Sequence, residues 1–235
     1  MPDGFPFDGF PRALVAFYED LSYNNNRAWF NEHKDIYRQH VIAPAQDFVR
    51  AMGARLRALA PDVVADPRAN GAGSIFRIYR DTRFSKDKTP YKTFLGIFFW
   101  EGSRKKTENS GFYLHLEPPR LMLAAGIHIF PRPLLGVYRD AVVDPEHGSA
   151  LAKAVKQVSA RGPYEIGGRH YKRVPQGYDA AHENADFLLH NGLHATIEGD
   201  IPEELYTEGC LDYCLERFRD MAPIHDWLRT ILERD

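Results

Sequence analysis

The strongest constraint on the fold is a change of hydrophobic period in the middle of the chain. Residues Phe112–Glu117 alternate between apolar and polar side chains, which is the period of a strand with one buried face. Pro118 and Pro119 interrupt this run, and a second apolar run, Leu121–His128, begins two residues later. Such close spacing predicts two antiparallel strands joined by a short hairpin.

Further strands and flanking helices are expected around this hairpin. Runs rich in β-branched and aromatic residues at Ser74–Tyr79 and Phe94–Trp100 predict two more strands. Before them, an apolar stripe at helical spacing predicts an N-terminal helix, and the asparagines Asn24–Asn26 predict a break and a new helix cap. Helices, then strands, then helices predict an α+β fold, in which an antiparallel sheet of four or more strands packs with N-terminal and C-terminal helices. The stripe consists of Leu14, Phe17, Tyr18 and Leu21.

The C-terminal third is expected to be mainly helical. Ala180–Asn191 has helical spacing, and Gly192 is well placed to be its C-terminal cap. Glu203–Phe218 and Ile224–Leu232 are predicted to be two helices separated at Pro223. No internal repeat or low-complexity linker divides the chain, so a single domain spanning residues 1–235 is expected.

Composition excludes several protein classes. A hydrophobic content of 44% with 26% charged residues is typical of a soluble globular protein, and a pI near 6.6 argues against a general nucleic-acid coat protein. Cys210 and Cys214 lie four residues apart, on one face of a helix, and are expected to be core residues in a reducing compartment. No apolar run approaches the ~20 residues that span a bilayer, and the N-terminus does not resemble a signal peptide. A cytoplasmic protein without a membrane partner is therefore predicted.

Charge is distributed unevenly along the chain, although its formal net value is only −2. Residues 74–106 carry nine Lys or Arg against three Asp or Glu, whereas residues 179–220 carry eleven acidic residues and two Arg. Crowded like charges repel each other, so an anionic ligand or internal carboxylates must offset the basic segment. The two segments either pair within the fold or face different partners.

The basic segment has the side chains of an anion site. Guanidinium and ammonium groups with nearby hydroxyls bind phosphate or carboxylate oxygens, and aromatic rings can stack on a base. The alternative is a solvated or internally paired loop, and the Gly-rich pattern of a P-loop is absent. Lys172 and Arg173 form a second basic group that could supply outer contacts. The candidate ligand-binding residues of the segment are Arg77, Arg80, Arg83, Lys86, Lys88, Tyr91 and Lys92.

A second candidate site lies on the predicted strand Phe112–Glu117. Tyr113, His115 and Glu117 project from the same face, and His128 could lie on the neighbouring strand. These groups could act as acid–base catalysts, or form a polar face with hydrogen-bonded imidazoles. A metal site needs three or four ligands within reach, so no metal is assigned, and the sequence identifies no cofactor.

The run from Phe76 to Thr93 resembles the signature of an uncharacterised family, domain of unknown function 2461. Asn24–Phe30, Gly111–Glu117 with Ala125-Gly126-Ile127, and Arg173–Tyr178 resemble other parts of that family, so the resemblance spans roughly residues 8 to 232. It implies kinship and one domain, and it implies no mechanism.

Three functions remain open from the sequence. The first is binding of a phosphate-bearing or other anionic ligand, such as a nucleotide or nucleic acid, in a basic, aromatic-bearing pocket. The second is an enzyme that acts on a phosphorylated or carboxylated substrate. The third is an interaction module whose opposite charges pair with each other, and salt would then destabilise the fold. A homo-oligomer is compatible with the sequence, which indicates no interface.

Overall fold

The computed structural model describes residues 5–233 and contains a six-stranded antiparallel sheet with helices, which confirms the α+β prediction. The strands are β1 (Val63–Val64), β2 (Leu95–Glu101), β3 (Gly111–Glu117), β4 (Arg120–Ile127), β5 (Glu165–Arg169) and β6 (His190–Asp200). Their order in the sheet is β1-β2-β3-β4-β6-β5. Strands β2, β3 and β4 are neighbours both in sequence and in the sheet, so the centre of the sheet is built from local connections.

The alternation predicted for β3 is present. Leu114 and Leu116 are buried, whereas the side chains between and after them are only partly covered. A two-residue turn at Pro118 and Pro119 joins β3 to β4, as the spacing predicted. One face of β3 therefore contributes to the core, and the other face is available for polar side chains.

The N-terminal helices follow their local signals. The predicted apolar stripe is buried on helix α1 (Arg12–Tyr23). The side chain of Asn26 accepts a hydrogen bond from Trp29 N at 3.0 Å, which caps helix α2 (Arg27–Glu32). The helices are α1 (Arg12–Tyr23), α2 (Arg27–Glu32), α3 (Lys34–Ile36), α4 (Ala43–Leu56), α5 (Arg132–Val143), α6 (Pro145–Arg161) and α7 (Cys210–Leu232), with a π-helical turn at Tyr37–Ile42 and 3₁₀ turns at Lys106–Glu108, Ala185–Leu189 and Glu203–Tyr206.

The described chain divides into two compact units. The first comprises residues 5–99, Tyr113–Leu123 and Glu198–Glu216, and the second comprises Trp100–Phe112, Ala124–Ile197 and residues 217–233. Each unit has its own buried aromatic and aliphatic side chains. Those of the first include Leu14, Phe48 and Met52, and those of the second include Tyr138, Leu151 and Leu228. The single-domain assignment stays a prediction.

The helix predicted for Ala180–Asn191 was wrong. The chain forms turns and a short 3₁₀ segment there, and β6 begins at His190, so Gly192 lies inside a strand instead of capping a helix. A Cβ atom on Gly192 would lie 1.9 Å from His128 O, and one on Gly126 would lie 2.3 Å from Leu193 O. Glycine is therefore required at both positions, because the backbones of the two segments approach each other closely. The hydrophobic periodicity of the sequence does not reveal this requirement.

The two helices predicted around Pro223 are one continuous helix, α7, with the proline inside it. A proline has no N–H to donate, so the carbonyl group of Arg219, four residues earlier, lacks its usual helical partner. Arg161, at the end of α6, supplies a donor: its Nη1 donates to Arg219 O at 2.9 Å and to Asp220 O at 3.3 Å. This external hydrogen bond explains how the helix continues through the proline.

The regular strand predicted at Ser74–Tyr79 is also absent. Instead, Ile75 forms an isolated bridge with Ile97 of β2, and Tyr79 forms another with Tyr91. The segment changes partner within four residues, from β2 to its own downstream chain, so no continuous ladder forms. This change of partner shapes the basic segment into a loop.

Cys210 and Cys214 are both fully buried thiols on α7, which confirms their predicted place in the core. No helix within residues 5–233 combines the length and the apolar character that crossing a lipid bilayer requires.

The close approach at Gly192 predicts a specific loss of stability. We expect Gly192→Ala to lower the free energy of unfolding by about 1–3 kcal/mol, because its methyl group would overlap a backbone carbonyl oxygen. Gly136 is the matched control: it lies on the exposed side of α5 with open space around its missing Cβ, and Gly136→Ala should stabilise by about 0.5–1 kcal/mol. Urea unfolding measures both, and equal effects would contradict the packing argument.

Candidate functional site

The basic segment lies in the first unit and folds into a loop whose ends are paired by backbone hydrogen bonds. Arg80 N donates to Pro90 O at 2.9 Å, and Lys92 N donates to Ile78 O at 2.8 Å. Residues 81–89 between these bonds form no helix or strand. The loop is therefore held at its base and open at its tip.

Asn25 anchors the C-terminal end of the loop. Its Nδ2 donates to Tyr91 O at 2.9 Å, and Tyr91 N donates back to Asn25 Oδ1 at 3.1 Å, so one side chain mimics a neighbouring strand. The ring of Tyr91 is only 3% exposed and stacks on Phe30 with centroids 4.2 Å apart. The structure thus places Tyr91 as an anchor of the loop, with its ring covered by protein.

Two of the candidate cations are matched to carboxylates of the same loop. Arg83 binds Asp81 through two hydrogen bonds, Nε to Oδ1 at 2.9 Å and Nη2 to Oδ2 at 2.7 Å. Arg80 donates to both Asp87 and Thr89. Lys88, a third candidate, donates from Nζ to Thr82 O at 2.8 Å. These contacts define the shape of the loop and offset part of its charge.

The two carboxylates of the loop have lowered pKa values as a result. The side-chain and backbone hydrogen bonds from Arg83 lower the pKa of Asp81 to about 2. The backbone N–H of Thr89 and the guanidinium of Arg80 lower the pKa of Asp87 to about 2. Because each folded-state pKa lies below the ordinary value, the stabilising contribution is present at neutral pH and is lost as the pH falls through about 2.

Lys92 has different surroundings from the cations of the loop. Its Nζ lies 5.4 Å from the ring centroid of Phe76 and 5.6 Å from that of Phe94. Among residues 5–233, no carboxylate pairs with Lys92 or with the exposed Arg77 and Lys86 at ion-pair distance. Burial lowers the pKa of Lys92, and the nearby Arg77 lowers it further. The ring faces attract an ammonium group and therefore act in the opposite direction.

Two exposed rings flank the same region. Phe84, at the tip of the loop, is 94% exposed, and the guanidinium of Arg83 lies 5.7 Å from its ring centroid. Tyr79, at the base of the loop, is 51% exposed. An exposed aromatic ring beside cationic groups can stack on the base of a nucleotide.

The candidate residues of β3 form a hydrogen-bonded row. Burial raises the pKa of Tyr113, and Glu117 raises it further, so the phenol keeps its proton and can donate to His115 Nδ1, which lies 2.9 Å away. That assignment places the imidazole proton on Nε2, which faces Glu117 Oε2 at 3.4 Å. Thr93 Oγ1 donates to the other carboxylate oxygen, Oε1, at 2.7 Å. The row therefore joins a phenol, an imidazole and a carboxylate on one face of β3.

Phe76 and Phe94 connect this row to Lys92. Phe76 contacts Tyr113 edge to face, with centroids 6.0 Å apart, and Phe94 packs on His115 at 4.2 Å. Each of these two rings therefore touches Lys92 and a member of the row. The structure brings together two groups that the sequence identified separately, within the first unit.

The remaining candidates lie elsewhere. Lys172 and Arg173 are exposed in the second unit, where the ring of Tyr171 next to them lies 4.9 Å from the guanidinium carbon of Arg139. His128 faces His194, with ring centroids 5.6 Å apart, in the same unit. Neither group takes part in the contacts around Lys92 described above.

Five of the eleven acidic residues in the acidic segment, residues 179–220, pair with arginines outside residues 74–106. Within the first unit, Arg120 binds both Glu198 and Asp200, at 3.1 and 3.0 Å. These pairs involve four arginines, all of which lie outside residues 74–106. The pairs are Arg12–Glu203, Arg55–Asp212, Arg120–Glu198, Arg120–Asp200 and Arg169–Asp186.

Metal ligands do not cluster in the part of the chain that the structure describes: residues 5–233 contain no group of three or more His, Cys, Asp or Glu side chains arranged to hold an ion. Sequence reasoning missed Thr93, Phe76 and Phe94 as members of the site. These three residues flank the basic run in the sequence. Their membership of the site follows from their contacts with Lys92 and with β3, which only the structure shows.

The pairing of Arg83 with Asp81 predicts a pKa change that can be measured directly. In Arg83→Gln the pKa of Asp81 should rise from about 2 toward its ordinary value of 3.8, because the guanidinium hydrogen bonds are lost. Carboxyl carbon NMR measures this titration. Lys153→Gln, on α6 in the second unit, removes the same charge and should leave Asp81 unchanged; a similar shift in that control would show that the pair itself is unimportant.

The anchor at Asn25 predicts a loss of stability. Asn25→Ala leaves the N–H and C=O of Tyr91 without their partner and should lower the free energy of unfolding by about 1–3 kcal/mol. The control is Asn24→Ala, which removes an exposed hydrogen bond to Asp20 O and should cost about 0.5 kcal/mol. Denaturant unfolding compares the two, and an equal effect would argue against the anchor.

Comparison with known proteins identifies a family. Residues 13–227 match the family described as Conserved hypothetical protein (DUF2461), which covers most of the chain and agrees with the resemblance noted in the sequence. The comparisons with curated proteins and with solved structures gave no match. The chain belongs to the DUF2461 family.

Proposed function

We propose that this DUF2461 protein binds a small ligand that carries a phosphate or carboxylate group, at a surface formed by Arg77, Lys92, Phe76 and Phe94. We call this surface the Lys92 site. Arg77 would supply a guanidinium fork for the anionic group, and the two rings would contact the apolar part of the ligand.

The observation that carries the proposal is the contrast between two sets of cations. Arg80 and Arg83 are paired with Asp87 and Asp81, which lie in the same loop. Lys92, by contrast, is half-buried beside another cation, without a paired carboxylate within residues 5–233. In the free protein, the surroundings of Lys92 disfavour the positive charge of its amine. An anion bound next to Lys92 would offset that charge and make the charged form favourable.

Nucleotides and short nucleic acids are the ligands that the surroundings favour within this class. Phe84 and Tyr79 offer exposed rings for stacking, and Lys86 and Lys88 add positive charge nearby. Phosphate contacts depend on salt because they release counterions, so affinity should fall as salt rises.

A second candidate function is catalysis on a phosphorylated or carboxylated substrate. The row Tyr113–His115–Glu117 favours it, since its imidazole is held by hydrogen bonds between a phenol and a carboxylate, as acid–base groups of enzymes often are. His115 would be the acid–base group, and Glu117 would orient it.

A cytoplasmic location is part of the proposal. Cys210 and Cys214 are free thiols in the core, which suits a reducing compartment.

Titration with inorganic phosphate, AMP and a short oligothymidylate tests the binding proposal. We expect calorimetry at two salt concentrations to show binding that weakens with salt. Arg77→Met combined with Lys92→Met should weaken binding by about tenfold or more, since charge-assisted hydrogen bonds are lost.

The control is Lys153→Met combined with Lys156→Met, which removes two charges from the exposed side of α6 and should leave binding nearly unchanged. Equal losses in the two double variants, or no binding of any of the three ligands, would refute the proposal. In the same titrations, NMR signals of the His115 ring should move in proportion to saturation if the β3 row faces the ligand; unchanged signals would count against the catalytic alternative.

A further inference from the structure

We propose that Arg139, Lys172 and Arg173 form a second anion-binding site, in the second unit, which binds the phosphate group of a ligand. We call it the Arg139 site. The inference goes beyond the proposed function, because it concerns the other unit and does not depend on the Lys92 site. It also assigns a role to Lys172 and Arg173, a basic group that the Lys92 site leaves unused.

The feature that points to a ligand is the guanidinium of Arg139, on α5. Its Nε atom is buried and has no hydrogen-bond partner among residues 5–233. Buried polar groups of folded proteins nearly always have such a partner, and a buried donor left without one costs about 1–3 kcal/mol. An acceptor from outside these residues is therefore expected, which is either water or a bound anion.

The ring of Tyr171 holds this guanidinium in place. The guanidinium carbon of Arg139 lies over the ring, 4.9 Å from its centroid. A guanidinium that stacks on a ring still directs its N–H groups sideways, in its own plane, where they match the oxygen atoms of a phosphate group. The stack therefore orients the donors without using them.

The nearest carboxylate in sequence is bound to another group. Asp140, the next residue of α5, accepts a hydrogen bond from the hydroxyl group of Tyr178 at 2.7 Å. Within the described residues 5–233, no carboxylate lies at ion-pair distance from Arg139, Lys172 or Arg173. The three cations therefore lack an internal counterion, in contrast to the paired arginines of the basic loop.

The parts of the site are fixed relative to each other before any ligand binds. The hydroxyl group of Tyr138, on α5, donates to Phe187 O at 2.9 Å, in the 3₁₀ turn before β6. The backbone N–H groups of His170 and Tyr171 both donate to Leu189 O, in the same turn, at 2.8 Å. One turn thus holds both the helix and the segment with the stacking ring. A site that is already ordered loses less entropy when its ligand binds.

The charges of the site favour phosphate over carboxylate. Lys172 and Arg173 are exposed and follow Tyr171 directly, so their Cα atoms lie within about 8 Å of that of Tyr171. A phosphate group carries a charge of about −1.5 to −2 near neutral pH and has three acceptor oxygens, so it can bind several cations at once. A carboxylate has two oxygens and a single charge. A phosphate group is therefore the anion that suits one oriented guanidinium with two further cations beside it.

Titration with inorganic phosphate tests the inference on the full chain. The chain carries Arg77→Met and Lys92→Met, which remove the Lys92 site, and the unmodified chain is titrated in parallel. We expect the Nε–Hε NMR signal of Arg139 to move with saturation in both proteins, because this donor gains an acceptor. The signal is assigned by its absence in Arg139→Lys. Acetate should bind at least about tenfold more weakly than phosphate, since it offers fewer charge-assisted hydrogen bonds.

Substitutions test which cations bind the phosphate. In the chain without the Lys92 site, Arg139→Met should weaken phosphate binding by about tenfold or more. Lys172→Met combined with Arg173→Met should also weaken it and reduce its dependence on salt. The control is Arg219→Met, which removes an exposed guanidinium from α7 in the same unit and should leave the affinity unchanged. The NMR signal of the unmodified chain tests the site even if Arg139→Met disturbs the stack on Tyr171.

The outcomes separate this inference from the proposed function. If phosphate does not move the Arg139 signal, water satisfies Nε and the inference is wrong. Equal effects of Arg139→Met and Arg219→Met, or equal affinities for acetate and phosphate, would also overturn it. If phosphate binds the unmodified chain but not the chain without the Lys92 site, the Arg139 site does not exist and the proposed function stands. Binding that survives in that chain and needs Arg139 supports the inference, whatever the Lys92 site binds.

Discussion

The two-residue period of β3 is the constraint on which both the core of the first unit and the candidate site depend. Leu114 and Leu116 must face the core, because burying their side chains is the main source of stability for that strand. Because successive side chains of a strand point to opposite faces, the other face then carries Tyr113, His115 and Glu117. A slip of one residue would exchange the two faces, so the register that builds the core also builds the hydrogen-bonded row.

Local signals predicted the parts of the fold that depend on neighbouring residues. The hairpin at Pro118–Pro119 and the cap at Asn26 need only a few adjacent residues, and both were found as expected. The errors occurred where a distant group decides the structure. Gly192 faces the carbonyl oxygen of His128, a residue distant in sequence, and Pro223 is tolerated because Arg161 satisfies a carbonyl group in α7. No local pattern contains that information.

The sequence predicted which residues belong to the candidate site, but it did not predict which groups they contact. The basic run was identified as one set of cations, whereas the structure divides it into arginines paired with local carboxylates and a lysine flanked by rings. Spacing of two residues already suggests the Arg83–Asp81 pair, since a flexible loop can bring them together. The contact of Phe94 with His115 joins two separate segments of the chain, and no local pattern in the sequence predicts it.

The firm base and open tip of the basic loop have a consequence for the covalent chain itself. Phe84 lies in a segment without helix or strand. Backbone hydrogen bonds join the two ends of the loop, and Asn25 also holds its C-terminal end. A break in the polypeptide at the tip would therefore leave each cut end attached to the body of the first unit. New termini could be placed there, as in a circular permutant, with Lys92 still in its surroundings.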